Sequence, residues 1–261
     1  MQPGISTACL YPRYTEESLR DILALRPACV EVFINAREEL SAPFLRGLRA
    51  MADSAGARIA SVHPYLSAME PLYFFSGYSR RFLEGREEYK RHYEAAGMLG
   101  AEAVVFHGNF YGNEIPPGQY FERFSVLWED ARREGISLCQ ENVERCASRE
   151  PGFFKQMRSA LADAEFILDV KQAVRAGQNP FEMANAMGGK IKHVHLSDHT
   201  GAQSCLPPGR GVFNIREFLE HIAKNGFSGS VIVELYRENF KDIVELSAGF
   251  QHLSYILSTI A

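Results

Sequence analysis

Short apolar runs rich in β-branched residues recur along the whole chain. They lie near residues 4–10, 29–34, 58–63, 103–107, 137–141, 166–169, 191–196 and 231–235. Each run is bounded by polar or turn-forming residues, which is the pattern of a strand that is buried on both faces. The pattern therefore predicts eight buried strands.

Four of the intervening segments carry the signals of helices. They cover residues 15–26, 80–99, 118–134 and 214–225. The second and third end at Gly100 and Gly135, and the fourth begins at Asn214, a good N-cap, and stops at Gly226. Because strand and helix alternate eight times, we expect a parallel sheet that closes into a barrel.

The length of 261 residues fits this architecture, since a (β/α)8 barrel typically needs about 250 residues. We therefore predict the α/β class and a single TIM barrel that occupies residues 1–261 as one domain. The connections 64–79, 108–117 and 197–213 are longer than usual and all follow strands, so they share one rim. They are expected to shape a substrate pocket; local packing or an oligomer contact is the alternative.

Six of the apolar runs end in side chains that bind metals. These residues are His63, His107, Glu141, Asp169, His195 and Glu234. Such a side chain at the end of a buried strand costs desolvation energy unless it is paired or ligated. Parallel strands deliver their ends to one place, and the pattern therefore predicts a divalent metal site in the mouth of the barrel.

The last four of these residues form the predicted ligand set. Three carboxylates and one imidazole suit Mn²⁺, Zn²⁺, Mg²⁺ or Co²⁺, and a dication relieves the repulsion among the carboxylates. The alternative is that each residue is paired with a nearby Lys or Arg. His63 and His107 are expected in the same site, where they either hold a second metal with Glu141 as a bridge or bind substrate hydroxyls.

Further residues are candidates for the same pocket. Glu31 in the second strand is expected to orient a ligand or substrate group from behind, whereas His193 is expected deeper in the barrel interior. The remaining pocket candidates are Asn142, Lys171, Asp198, His199 and Arg210.

Composition restricts the classes of partner and the cellular compartment that we expect for this chain. With 28 basic and 32 acidic residues, the net charge of −4 gives no help to nucleic-acid binding. We expect no membrane span and no secretory signal. The five cysteines lack metal-type spacing, and Cys9, Cys29 and Cys139 are expected to be buried reduced thiols of a cytoplasmic protein. A homo-oligomer remains open.

The six strand ends resemble those of the sugar phosphate isomerase/epimerase superfamily, the xylose isomerase-like TIM barrels that also include an apurinic endonuclease family. The resemblance runs nearly end to end. It is most specific at Val-His63-Pro, Phe-His107-Gly, Gln-Glu141-Asn142, Leu-Asp169-Val, His193-Val-His195-Leu-Ser-Asp198 and Val-Glu234-Leu. It implies that Glu141, Asp169, His195 and Glu234 hold one metal, and that the two glutamates move protons on and off the substrate.

The chain departs from this superfamily at three positions. Gln172 stands where Asp-x-x-His is frequent, Cys205 replaces a second histidine, and Gly201 replaces an arginine of some ketose epimerases. The first two departures argue against a trinuclear site, and the third puts a simple transfer of ketose 3-epimerase activity in doubt.

The resulting hypothesis is a metal-dependent isomerase or epimerase that acts on a small sugar-like carbonyl compound through an enediolate. Loss of hydroxide after the same proton abstraction would make a dehydratase. The alternatives are a metal-dependent phosphoester hydrolase, with His63, His107 and Glu141 on one metal, and a sugar-binding subunit without activity.

Overall fold

The strands of the computed structural model, which describes residues 1–113 and 115–260, close into a parallel barrel in chain order. Their bounds are β1 Gln2–Ser6, β2 Cys29–Phe33, β3 Arg58–His63, β4 Ala103–Phe106, β5 Ser137–Glu141, β6 Glu165–Asp169, β7 Ile191–Leu196 and β8 Ser230–Val233. Strand β8 pairs with β1 in parallel and completes the ring. The predicted (β/α)8 barrel is confirmed.

Helices follow the strands and surround the barrel. They are α1 Thr15–Leu23, α2 Ala42–Ala55, α3 Glu70–Phe74, α4 Ser79–Leu99, α5 Pro117–Arg133, α6 Pro151–Ala160, α7 Val170–Arg175, α8 Pro180–Met187, α9 Ile215–Lys224 and α10 Ile243–Ser258. The predicted cap at Asn214 is present, since its side-chain oxygen accepts the amide hydrogen of Glu217 at 3.2 Å. Gly100 ends α4 in the left-handed conformation, which glycine adopts at little cost. Among the described residues, we find no helix that is both long and apolar enough to cross a membrane.

Two predicted segments differ from the structure. Strand β1 ends at Ser6 rather than near residue 10, because the Ser6 hydroxyl accepts the amide hydrogen of Ala8 and turns the chain into a 3-10 helix, Thr7–Leu10. The connection 64–79 is not an open loop: it contains a 3-10 helix, Tyr65–Ala68, and the helix α3.

The barrel interior changes from apolar to ionisable along the strand direction. Ala103, Val105, Cys139 and Ile167 form an apolar cluster inside it. Side chains two residues apart on a strand point to the same face, so Glu141 and Asp169 lie one step above Cys139 and Ile167. The five cysteines are buried free thiols, which confirms the prediction made for Cys9, Cys29 and Cys139. The fold thus places carboxylates directly above an apolar plug.

Candidate metal centre

The carboxyl ends of β5 to β8 bring the predicted ligand set together. Glu141, Asp169, His195 and Glu234 each offer one donor atom, and these atoms all lie within 4.8 Å of one another. The least buried of the four, Glu234, is only 8% exposed. Four consecutive strands therefore build one compact and largely buried cluster.

The imidazole of His195 lies at the centre of this cluster. Its Nδ1 atom is 2.7 Å from Glu141 Oε1, 3.5 Å from Glu234 Oε2 and 3.9 Å from Asp169 Oδ2. Nδ1 is therefore the His195 nitrogen that faces the other three residues of the cluster.

The opposite nitrogen of His195 is held from behind by Glu31. His195 Nε2 lies 3.0 Å from Glu31 Oε2, and the Ser61 hydroxyl donates to the same oxygen at 2.7 Å. A carboxylate behind a histidine fixes the tautomer and the orientation of the ring. His193 lies one step deeper, with its Nε2 3.4 Å from Glu31 Oε2. His193 thus lies deeper than His195, as predicted, and Glu31 lies behind the His195 ring.

The donor set fits a divalent metal. Three carboxylates and an imidazole are the ligands that hard and borderline dications prefer. Asp169 Oδ2 is buried and, among the described residues, has ion-pair contacts but no hydrogen bond. Burial, together with the charges of Glu141 and Glu234, raises the pKa of Asp169 to about 7 even though Lys171 opposes this shift. The three carboxylates therefore repel one another, and a bound dication would relieve this repulsion.

A buried ammonium group lies beside two of the four ligands. Lys171 is in the first turn of α7, and its Nζ atom is 2.6 Å from Glu234 Oε2 and 3.1 Å from Asp169 Oδ2. The same atom lies 4.7 Å from the ring centre of Tyr236. Burial alone would lower the pKa of Lys171, but Asp169 and Glu234 raise it well above its ordinary value. Lys171 is thus a cation inside the carboxylate cluster.

A second carboxylate system holds His107. Its Nε2 atom is 3.1 Å from Glu141 Oε2, and its Nδ1 atom is 3.4 Å from Glu70 Oε1. Glu70 also accepts the backbone amide hydrogens of His107, at 2.9 Å, and of Gly108, and the hydroxyl hydrogen of Tyr89 at 2.5 Å. Burial disfavours a charged ring, but the hydrogen bonds to Glu141 and Glu70 raise the pKa of His107 to about 10. His107 is therefore an imidazolium held between two carboxylates.

His63 has a different environment. Its ring centre is 4.8 Å from that of His107, and burial, with the neighbouring charge of His107, lowers its pKa. Donor atoms of His63, His107 and Glu141 also lie within 4.8 Å of one another. The two histidines thus adjoin the four-residue cluster, as predicted.

An open cavity of 590 Å³ lies over the cluster, a size typical of small-molecule sites. The rings of Tyr11, Phe33, Tyr65 and Tyr236 contribute to its wall, and Arg145 contributes to its polar lining. The combination of aromatic faces and ionisable groups suits a small polyhydroxylated molecule.

Most of the chain matches the sequence profile of one known family. The profile of the family described as xylose isomerase-like TIM barrel matches residues 28–254. This chain belongs to that family. The resemblance at the strand ends is thereby confirmed.

This xylose isomerase-like barrel is similar to other proteins in sequence and to solved structures in fold. An uncharacterized protein of Mycobacterium tuberculosis is 30% identical over 175 residues, which cover 56% of this chain and 60% of the relative. A solved D-tagatose 3-epimerase-like protein superposes with a TM-score of 0.82 at 22% identity and 100% coverage of both chains. D-psicose 3-epimerase from Clostridium cellulolyticum superposes with a TM-score of 0.81 at 16% identity, covering 98% of this chain and 99% of that one. At these identities the structural likeness shows the fold.

The departures from the family pattern lie next to the cluster. Gln172 lines the cavity, and its side-chain oxygen accepts the amide hydrogen of Glu144 at 3.1 Å. Cys205 is buried, and burial raises its pKa to about 11. Gln172 and Cys205 therefore supply no imidazole to the cluster of this xylose isomerase-like barrel.

Two of the predicted pocket residues have structural positions instead. Asn142 binds the backbone of Asp169, accepting its amide hydrogen at 2.7 Å and donating to its carbonyl at 2.8 Å. Asp198 accepts amide hydrogens from Gly209 at 3.0 Å and from Gly211 at 2.8 Å. Asn142 therefore orients a ligand, and Asp198 fastens the 197–213 connection.

Arg210 and His199 are not among the residues that line the cavity. The guanidinium of Arg210 lies 3.6 Å from Glu245 and is largely exposed. The ring of His199 packs against that of Phe213, with 5.5 Å between the ring centres. The prediction that Arg210 binds substrate is not supported by this placement, because the connection turns its side chain toward α10.

Glu70 was not predicted from the sequence. It lies in the 64–79 connection, outside any strand pattern, and nothing in its neighbours distinguishes it from a surface acid. The packing of α3 against α4 places it next to Tyr89 and beneath His107. Only the tertiary structure reveals this contact.

Proposed function

We propose that this chain is a divalent-metal-dependent isomerase or epimerase of a small sugar or polyol-derived carbonyl compound, built on one domain of residues 1–261. The observation that carries this proposal is the convergence of Glu141, Asp169, His195 and Glu234 beneath the cavity. The similarity to structures described as sugar 3-epimerases supports the same class of reaction.

The four ligands would hold the ion, and a bound dication polarises a carbonyl and stabilises an adjacent enediolate. Two residues of the chain would move the proton. Glu141 or Glu234 would remove a proton from the carbon next to the carbonyl and later release it to solvent, and the other glutamate, after taking up a proton from solvent, would donate it to a different carbon or face. His63 and the aromatic wall would contact the hydroxyl groups and the carbon skeleton of the substrate.

The ionisation of both glutamates supports this role. Burial would raise the pKa of each, but hydrogen bonds from His107 and His195 hold the pKa of Glu141 well below its ordinary value. The charges of His195 and Lys171 lower the pKa of Glu234 in the same way. Both carboxylates are therefore ionised at neutral pH in the metal-free protein, so either can serve as the base.

A phosphoester hydrolase is the second candidate, because His63, His107 and Glu141 form another group with the spacing of metal ligands. Two ions about 3.5–4 Å apart would then activate water. The isomerase is favoured because the four-donor cluster can hold one ion without these two histidines. A dehydratase would share the first proton abstraction and differ in its product.

The proposal is tested by proton exchange. Hydroxy-carbonyl compounds are incubated with the metal-loaded protein in heavy water, and deuterium incorporation at carbon is followed by NMR. Glu141→Gln and Glu234→Gln should suppress the exchange far more than they weaken substrate binding, which is measured by calorimetry. The matched control is Glu144→Gln at the cavity rim, which should retain exchange. Phosphodiester cleavage by the wild type without any carbon exchange would refute the isomerase in favour of the hydrolase.

A further inference from the structure

We propose that Lys171 is an internal cation that shares two ligand oxygens with the metal and thereby weakens metal binding. This inference rests on the proposed function, because it concerns the same centre. It assigns Lys171 a positioning and affinity-setting role that a neutral side chain at this position could not provide.

The sharing is visible in the contacts of Lys171. Its ammonium is within ion-pair distance of Glu234 Oε2 and Asp169 Oδ2, at 2.6 Å and 3.1 Å. These two oxygens are the ones nearest to His195 Nδ1 in their respective ion pairs. An ion held by the four ligands would therefore compete with Lys171 for the same atoms.

The location of Lys171 follows from the local fold. Strand β6 ends at Asp169 and α7 begins at the next residue, so Lys171 is carried back over the end of the barrel. The side chain is 3% exposed, and its ammonium faces the ring of Tyr236. Ordering a long buried side chain costs conformational entropy. The ion pairs of Lys171 with Asp169 and Glu234 and its contact with Tyr236 offset this cost.

Lys171 lowers the metal affinity of the site in two ways. A positive charge close to a dication repels it, and this repulsion is strong where water is excluded. Lys171 also satisfies carboxylate oxygens that would otherwise gain most from binding an ion. In the metal-free protein, by contrast, Lys171 offsets the repulsion between Asp169 and Glu234, so it stabilises the empty site.

If Lys171 only forms a structural ion pair, its replacement should not increase metal affinity. Removing the ammonium would then disturb the positions of Asp169 and Glu234, and metal affinity would stay the same or fall. The direction of the change in affinity thus separates the two roles.

The experiment compares wild type, Lys171→Met and Lys171→Gln after chelator treatment. Methionine keeps the length of the aliphatic stem without the charge, and glutamine retains a hydrogen-bond donor should the methionine variant fold poorly. The control is Lys192→Met. Lys192 also faces two carboxylates, Glu102 at 3.5 Å and Glu165 at 3.8 Å, but it lies near the start of β7, away from the ligands.

Mn²⁺ binding is measured by calorimetry at neutral pH, and thermal unfolding is recorded with and without Mn²⁺. Both Lys171 variants should bind Mn²⁺ more tightly, by roughly tenfold or more. Their metal-free midpoints should fall, and the rise on adding Mn²⁺ should exceed that of wild type. The control should keep the wild-type affinity.

The outcomes distinguish this inference from the proposed function. Equal or weaker Mn²⁺ binding by folded Lys171 variants, with normal binding by wild type, would overturn the inference and leave the proposed function intact. Binding by the variants but not by wild type would support the inference and refute metal dependence of the wild-type protein. Absence of binding in every variant would overturn both.

Discussion

Replacement of His107 by Gln should remove a pH dependence of stability that the structure ties to one buried imidazolium. The pKa of His107 is raised from 6.5 to about 10, because its hydrogen bonds to Glu141 and Glu70 outweigh the cost of burial. The folded protein therefore binds a proton that the unfolded chain releases above its own pKa. This stabilisation is fully present below pH 6.5 and is lost as the pH rises toward 10.

The magnitude follows from the same shift. Each unit of pKa difference corresponds to about 1.4 kcal/mol, so between pH 6.5 and 9 wild type should lose about 3 kcal/mol of unfolding free energy through this group. Both ring nitrogens are buried against carboxylates, so little solvent screening reduces this value. A glutamine side chain does not titrate, and the variant should therefore lack this part of the slope.

The assay is urea unfolding of metal-free wild type and His107→Gln at several pH values from 6 to 9. The difference in unfolding free energy between the two proteins should shrink by about 3 kcal/mol across this range. Subtracting the variant removes the contributions of other titrating groups, and NMR of the His107 ring provides a direct check of its pKa. A difference that stays constant with pH, or a ring that titrates near 6.5, would refute the imidazolium and make His107 available as a neutral metal ligand.

Three further predictions concern residues that position the centre or titrate away from it. Glu31→Gln should weaken metal binding by about 10- to 100-fold, because His195 loses its supporting carboxylate; an unchanged Kd for Mn²⁺ would contradict this role. Asn142→Ala should lower the unfolding free energy by about 1–3 kcal/mol through two lost bonds to the backbone of Asp169, and full wild-type stability in urea would exclude this role. Burial lowers the pKa of His92 to about 4, so stability should fall by about 3 kcal/mol between pH 6.5 and 4. His92→Phe should reduce this loss, and an equally steep acid limb in the variant would exclude His92 as its cause.

The strands and the ligand set could be predicted because they depend on local patterns. Each ligand follows an apolar run directly, and parallel strands must bring their ends together. Glu141, Asp169, His195 and Glu234 therefore converge whatever the detailed packing of the helices. His193 could be placed deeper than His195 because side chains two residues apart on a strand share a face.

The rest of the centre depends on contacts that no short pattern encodes. Glu70 reaches His107 only because the 64–79 connection forms the helix α3, which packs against α4. The direction of Lys171 is set by the turn from β6 into α7, and the sequence alone left it as one of several pocket candidates. Arg210 was also only a pocket candidate, but its side chain faces Glu245. The hydrogen bonds from the Gly209 and Gly211 amides to Asp198 fix the course of the 197–213 connection on either side of it.

The central claim is that one divalent ion binds the four strand-end ligands, and it is tested most directly by metal content. Wild type and Asp169→Ala are purified without chelator, titrated with Mn²⁺ and analysed by elemental mass spectrometry, with circular dichroism to confirm that both are folded. The account predicts one ion per wild-type chain and a loss of stoichiometric binding in Asp169→Ala. Metal content that is unchanged by this substitution, or a folded wild type that binds no divalent ion, would contradict it.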